Sequence, residues 1–226
     1  MKKLGSSLKN MLLVLTIVTM VAVGLLAYVN ELTKAPIAEA NMKTLNAALK
    51  SVVPEFTNNP VNESDTIYSE KDGKKNIDFI VYPAKNGDKL VGTAVESKSL
   101  GFSGEIKILV GFDANGKIYD YSLLAHSETP GLGSKADVWF KEGNRGSIKG
   151  LNPGEKALTV KNDGGQIDAI TASTITSRAF LRAVNQAYNA YKGENVDTST
   201  SATEKATDGN TSATKHVEQT DSTGTN

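Results

Sequence analysis

The pattern of apolar and polar positions divides the chain into four stretches of different character. Residues 11–29, MLLVLTIVTMVAVGLLAYV, hold no charge. At about 1.5 Å per residue such a helix spans roughly 28 Å, close to a hydrocarbon core of about 30 Å. Thr16, Thr19 and Gly24 are compatible with that reading, because a helical hydroxyl bonds back to its own backbone. Residues 30–54 are polar with Leu and Ala interspersed; Leu45, Ala47, Leu49, Val52 and Val53 fit a short amphipathic helix stopped by Pro54. This segment reads either as a stalk contacting a partner or as a helix packed on the edge of the following domain.

The middle of the chain alternates in strand fashion. Residues 77–84 (IDFIVYPA) and 89–97 (KLVGTAVES) flank Asn86-Gly87, and residues 105–113 (EIKILVGFD) and 117–128 (KIYDYSLLAHSE) flank Asn115-Gly116. Both dipeptides signal hairpins, since Asn and Gly accept positive φ. Residues 156–160 (KALTV) read as another strand before a turn at Asp163-Gly164-Gly165. The alternation implies an antiparallel sheet with one buried face. Phe180, Val184, Ala187 and Tyr191 then recur at spacings of three or four, giving a helix that Gly193 ends. The fold class is therefore α+β: an N-terminal transmembrane helix, then an antiparallel sheet with flanking helices. From 194 to 226 the composition falls to Thr, Ser, Asn, Asp, Lys and Gly, too few apolar groups to offset ordering entropy, which predicts a disordered tail.

Composition and charge narrow the possibilities. The formal net charge of the 226 residues is zero, which argues against a broad nucleic-acid surface. Cysteine is absent, which removes disulfides, cysteine-held iron–sulfur clusters and thiol chemistry. Only His126 and His216 are histidines, and no zinc-type spacing exists, so no metal site is expected. Lys2, Lys3 and Lys9 precede the apolar run and Glu31 follows it, so the positive-inside rule places residues 1–10 in the cytoplasm and the rest of the chain outside. A cleaved signal peptide is the competing reading, but the run is long for one and Tyr28 to Glu31 make a poor cleavage site.

Two loops carry candidate chemistry. In AHSETPGLGSK, residues 125–135, Pro130 fixes one backbone angle while Gly131 and Gly133 permit close approach of a ligand; a plain surface turn is the alternative. In DAITASTITSRAF, residues 168–180, five hydroxyls (Thr171, Ser173, Thr174, Thr176 and Ser177) gather at a helix start. Free amides and the helix dipole favour an anion there, and five hydroxyls exceed what capping needs. They suit a phosphate and a polyol chain. A nucleophilic hydroxyl would want an adjacent base, for which Asp168 is nearest in sequence and His126 is available. No nucleophile-elbow or Ser–His–Asp order appears, so hydrolysis is not supported and no catalytic residue is assigned.

Together the apolar run, LGFSGEIKILVGFD (100–113), HSETPGLGSK (126–135) and DAITASTITS (168–177) resemble the FMN-binding domain family, in particular the G subunit of Rnf-type electron-transport complexes. A sister group is the C subunit of sodium-pumping NADH:quinone oxidoreductase. The resemblance implies an FMN-binding domain over residues 55–193, with FMN joined covalently through its phosphate to the threonine that ends a Ser/Thr-Gly-Ala-Ser/Thr-x-Thr motif. TASTIT stands in that place, so Thr176 is the implied attachment site, and Asp168 matches an acidic position upstream. Ala172 and Ser173 depart from the usual Gly-Ala pair. Thr171, Ser173 and Thr174 are implied contacts to phosphate or ribityl chain. Glu128, Thr129, Gly131, Leu132 and Gly133 match the flavin-contacting loop, with Gly101 and Ser103 as further candidates.

The implied maturation partner is a flavin transferase that uses FAD and releases AMP, for which Thr176 should be exposed. The other implied partners are membrane lipid and the membrane subunits of the complex. The implied role is an electron-carrying subunit, rather than an enzyme alone, of an ion-translocating ferredoxin:NAD oxidoreductase in the bacterial inner membrane, with the FMN domain on the periplasmic side. The alternatives are the quinone-reductase sister, a free-standing extracellular flavoprotein, or an anchored scaffold without cofactor.

Overall fold

The computed structural model describes residues 8–71 and 74–193, without side-chain detail over 69–77. The expectations for the tail, and for most of the cytoplasmic N-terminus, lie outside the described residues. A single α-helix, α1 (Leu8–Val52), runs through both the apolar run and the polar segment after it, with Pro36 inside. Its large apolar side chains between Met11 and Val29 are exposed, the arrangement expected of a surface that faces lipid. Thr16 Oγ1 donates to Leu12 O at 2.9 Å and Thr19 Oγ1 to Leu15 O at 3.0 Å, so neither hydroxyl is left without a partner along that surface.

Five strands follow in a meander, β1 (Asp65–Lys71), β2 (Lys74–Asn86), β3 (Lys89–Leu100), β4 (Glu105–Asp113) and β5 (Ile118–Ala125), paired antiparallel in sequence order. The two Asn-Gly dipeptides do form the β2–β3 and β4–β5 turns, with Gly87 at φ 61° and Gly116 at φ 76°. A short helix α2 (Ala136–Trp139) and a long one, α3 (Thr174–Lys192), complete the domain; Gly193 ends α3 at φ 69°.

The expectation of one buried face is corrected: the central strands are covered on both sides. Ile106, Ile108, Val110 and Phe112 of β4 join the larger core beneath α3, whereas Leu109 joins Ala48, Leu49, Val52 and Val53 from the end of α1. The segment after the apolar run thus packs on a sheet face through its last turns, and Ala47 points into solvent while Ala48 is buried. Gly111 permits this packing, since a Cβ there would lie 1.6 Å from Val52 O.

The expected strand at 156–160 is also corrected. Among those residues only Val160 makes a bridge, a single parallel one to Ile167. The backbone of Leu158 is satisfied by a side chain instead of a strand: its N–H donates to Asn185 Oδ1 and its carbonyl accepts from Asn185 Nδ2, both at 2.9 Å. An α3 amide therefore takes the place of a sixth strand.

Candidate functional site

The two candidate loops meet. The 126–135 loop follows β5, the TASTIT stretch leads into α3, and the β3–β4 hairpin at residues 101–104 closes the third side. Between them lies an open cavity of about 400 Å³, lined by Phe102, Glu128, Thr129, Leu132, Gly133, Ala172, Ser173, Thr174, Ile175 and Thr176. The lining combines threonine and serine hydroxyls with apolar side chains. Phe102 is 68% exposed at the hairpin tip.

At the floor, Thr176 Oγ1 donates to Glu128 Oε2 at 2.5 Å, and the Ser103 N–H donates to Glu128 Oε1 at 3.0 Å. Thr176 is 1% exposed and Glu128 6%. Neither Gly133 nor Gly101 has room for a side chain beside this pair: a Cβ on Gly133 would lie 2.5 Å from Glu128 Oε2 and 2.8 Å from Thr176 Oγ1, and one on Gly101 2.3 Å from Glu128 Oε1. The expected exposure of Thr176 is thus corrected: its hydroxyl is buried and held by a carboxylate.

The helix start differs in detail from simple capping. Ser173, the N-cap residue, makes no side-chain capping bond. The first helical bond runs from Ser177 N–H to Ser173 O at 3.0 Å, which leaves the amides of Thr174, Ile175 and Thr176 ahead of it. Ser177 Oγ accepts from Ile170 N–H at 2.9 Å and donates to Ser173 O at 3.0 Å, so this hydroxyl serves the turn. Ala172 is the one described non-glycine residue with positive φ, at 61°. The departure from the usual glycine therefore bears on backbone conformation, not on space alone.

Other residues named from the sequence lie outside the cavity lining. Asp168 pairs with Lys161 through its carboxylate at 2.9 Å and accepts Trp139 Nε1–H on its backbone oxygen at 2.8 Å. That bond ties α2 to the strand-like segment before the hydroxyls. Thr171 is exposed, and Gly131, at φ 74°, shapes the turn of the 126–135 loop, its N–H donating to Ser134 Oγ at 2.9 Å. Conversely, Phe102 and Ile175 line the cavity although neither was named as a contact; both lie inside stretches that carried the resemblance, LGFSG and TASTIT. Behind the site Tyr121 donates to Ala136 O at 2.7 Å, and burial pushes its phenol well above the ordinary tyrosine range. No group of three or more potential metal ligands occurs among the described residues.

Comparison with known proteins gives this geometry a setting. The FMN-binding domain model matches residues 101–189, which contain every residue lining the cavity, and the RnfG N-terminal region matches residues 1–52. The chain is 35% identical over 193 residues to the G subunit of the ion-translocating oxidoreductase complex of Aliivibrio fischeri, covering 83% of this chain and 91% of that one. The chain belongs to this G-subunit family. The G subunit of the Na(+)-translocating ferredoxin:NAD(+) oxidoreductase complex of Acetobacterium woodii is 34% identical over 186 residues, 80% of this chain and 89% of its own length. The G subunit of the ion-translocating oxidoreductase complex of Escherichia coli O157:H7 is 36% identical over 170 residues, 73% and 81% of the two chains. The protein is thus a membrane-anchored member of the family carrying an FMN-binding domain.

The cavity suits that cofactor. Its volume falls in the usual range for a cofactor site, roughly 300–1,000 Å³. Thr129, Ser173, Thr174 and Thr176 offer hydroxyls, the amides at the start of α3 offer anion-directed donors, and Phe102, Leu132 and Ile175 offer an apolar surface for a flat ring.

Proposed function

We propose that the chain is the flavin-carrying electron-transfer subunit of an ion-translocating ferredoxin:NAD oxidoreductase complex, with FMN esterified through its phosphate to Thr176 Oγ1. The observation that carries this reading is the junction of the two family motifs around one cavity with Thr176 at its floor. The flavin supplies the redox chemistry. The chain supplies everything else. Thr176 fixes the cofactor so that it is not lost by diffusion. The first-turn amides of α3 meet the phosphate, Ser173 and Thr174 hydrogen-bond the phosphate or ribityl oxygens, and Thr129 holds the polar edge of the cavity. Phe102 and Leu132 shield the ring from water at the mouth. Asp168 and Thr171 stand outside the cavity lining, in the segment that leads to Thr176.

The anchor reading extends to topology. Lys2, Lys3 and Lys9 before the run and Glu31 after it support an inside N-terminus and an FMN domain on the outer, periplasmic side. Assembly then requires the other membrane subunits, the surrounding lipid and a flavin transferase. The test is covalent flavin in the full chain produced with its transferase. Thr176→Ala abolishes in-gel flavin fluorescence, whereas Thr174→Ala retains it. Fluorescence that persists in a folded Thr176→Ala chain moves the attachment elsewhere.

A further inference from the structure

Resting on the reading that Thr176 accepts the flavin, we propose that Glu128 is the base for that attachment, carried by the acceptor protein itself. A threonine hydroxyl is a weak nucleophile until a neighbouring group takes its proton. The base must stand within about 2.6–3.2 Å of that proton's oxygen or closer. Neither base suggested by the sequence stands there. The Asp168 carboxylate is paired with Lys161, and His126 Nδ1 accepts the backbone N–H of Glu128 at 3.2 Å. The group in position is Glu128 Oε2, 2.5 Å from Thr176 Oγ1 and 48 residues away in the chain.

The arrangement is built around that pair. Ser103 N–H holds the second carboxylate oxygen, and the two glycines without space for a Cβ wall it in from the hairpin and from the loop. Glu128 is the one titratable residue lining the cavity. On the adjoining elements Glu105 lies 4.0 Å from Lys98 and Arg178 of α3 is paired with Asp163 at 2.7 Å, while Lys135, Asp137 and Arg182 stand outside the cavity lining. The pairing also selects among hydroxyls. Ser177 is occupied by the backbone on both sides, and Thr176 is the hydroxyl at the helix start that donates to a carboxylate.

In the step, the Thr176 O–H bond breaks and its proton passes to Glu128 Oε2. Thr176 Oγ1 forms a bond to the flavin-side phosphorus of a flavin adenine dinucleotide held by the transferase. The pyrophosphate P–O bond breaks, and AMP departs with the electron pair. No oxidant or reductant enters. Glu128 afterwards returns its proton to solvent. The ester oxygen no longer carries a hydrogen, so the bond to Glu128 is made once and lost on maturation.

The experiment follows the initial rate of flavin incorporation into the full-length chain by purified transferase and FAD, read by intact mass and fluorescence from acid to alkaline pH. Glu128→Gln keeps the size and one acceptor oxygen, for Ser103 N–H, but its amide nitrogen cannot take the Thr176 proton; the rate falls about a hundred-fold or more, and the acid limb of the wild-type pH profile disappears. Glu128→Asp retains a carboxylate and recovers part of the rate with the limb displaced. A folded Glu128→Gln chain that incorporates flavin at the wild-type rate with an unchanged profile overturns the proposal. If Glu128→Gln does not fold, Glu128→Asp decides: an acid limb identical to wild type overturns the proposal and a displaced one supports it. A wild-type chain that takes flavin at another residue fails in a different way, since it removes the attachment reading as well.

Discussion

The two faces of the sheet are covered by opposite means. Beneath α3 the space is filled with rings: Phe140 stacks on Phe180 with centroids 4.2 Å apart and planes 4° from parallel, and Tyr121 meets Phe180 edge-on at 4.8 Å. Beneath the end of α1 the approach is close at a missing side chain: Gly111 lets the Val52 carbonyl down onto β4, in a cluster where Ala48, Ala84 and Ala94 accompany Leu49, Tyr82 and Leu109. One face is held by volume and carries the candidate cavity at its margin. The other is held by close approach and carries the link to the membrane helix. They should therefore fail under opposite substitutions, truncation on the first and addition on the second.

The largest effect is expected at Phe180. Phe180→Ala removes a fully buried ring from two aromatic contacts and should cost about 3–5 kcal/mol, measured by urea or thermal unfolding. Adding a methyl on the other face, Gly111→Ala, should cost about 1–3 kcal/mol, because a Cβ cannot share space with the Val52 oxygen. Hydrogen exchange would show where the cost falls: amides of residues 45–52 lose protection while those of α3 keep theirs. Equal loss on both faces would contradict the division. The smallest effect is a gain. Ala172→Gly relieves a left-handed alanine at the entrance to α3 and should stabilise the domain by about 1 kcal/mol. An unchanged melting temperature would mean the turn carries no strain.

Much of this was legible in the sequence because its signals were local. The Asn-Gly turns marked two hairpins, and the alternation in EIKILVGFD marked β4. Gly111, however, reads in that run only as a gap, and what fills the gap comes from Val52, 59 residues earlier. β1 went unmarked because DTIYSEK holds only two large apolar residues, Ile67 and Tyr68, side by side and not alternating. KALTV misled for the converse reason: its composition suits a strand, but its hydrogen bonds are met by Asn185. At the site the two motifs were visible separately. Their union through Glu128 and Thr176 depends on chain crossing, which no spacing reveals. The burial of Thr176 follows from that union.

Peptide mass mapping of the wild-type chain matured with its transferase tests the attachment most directly. One FMN is expected on the peptide containing residues 168–178, with fragmentation placing it on Thr176. That peptide recovered unmodified, or with the flavin on Thr174, contradicts it.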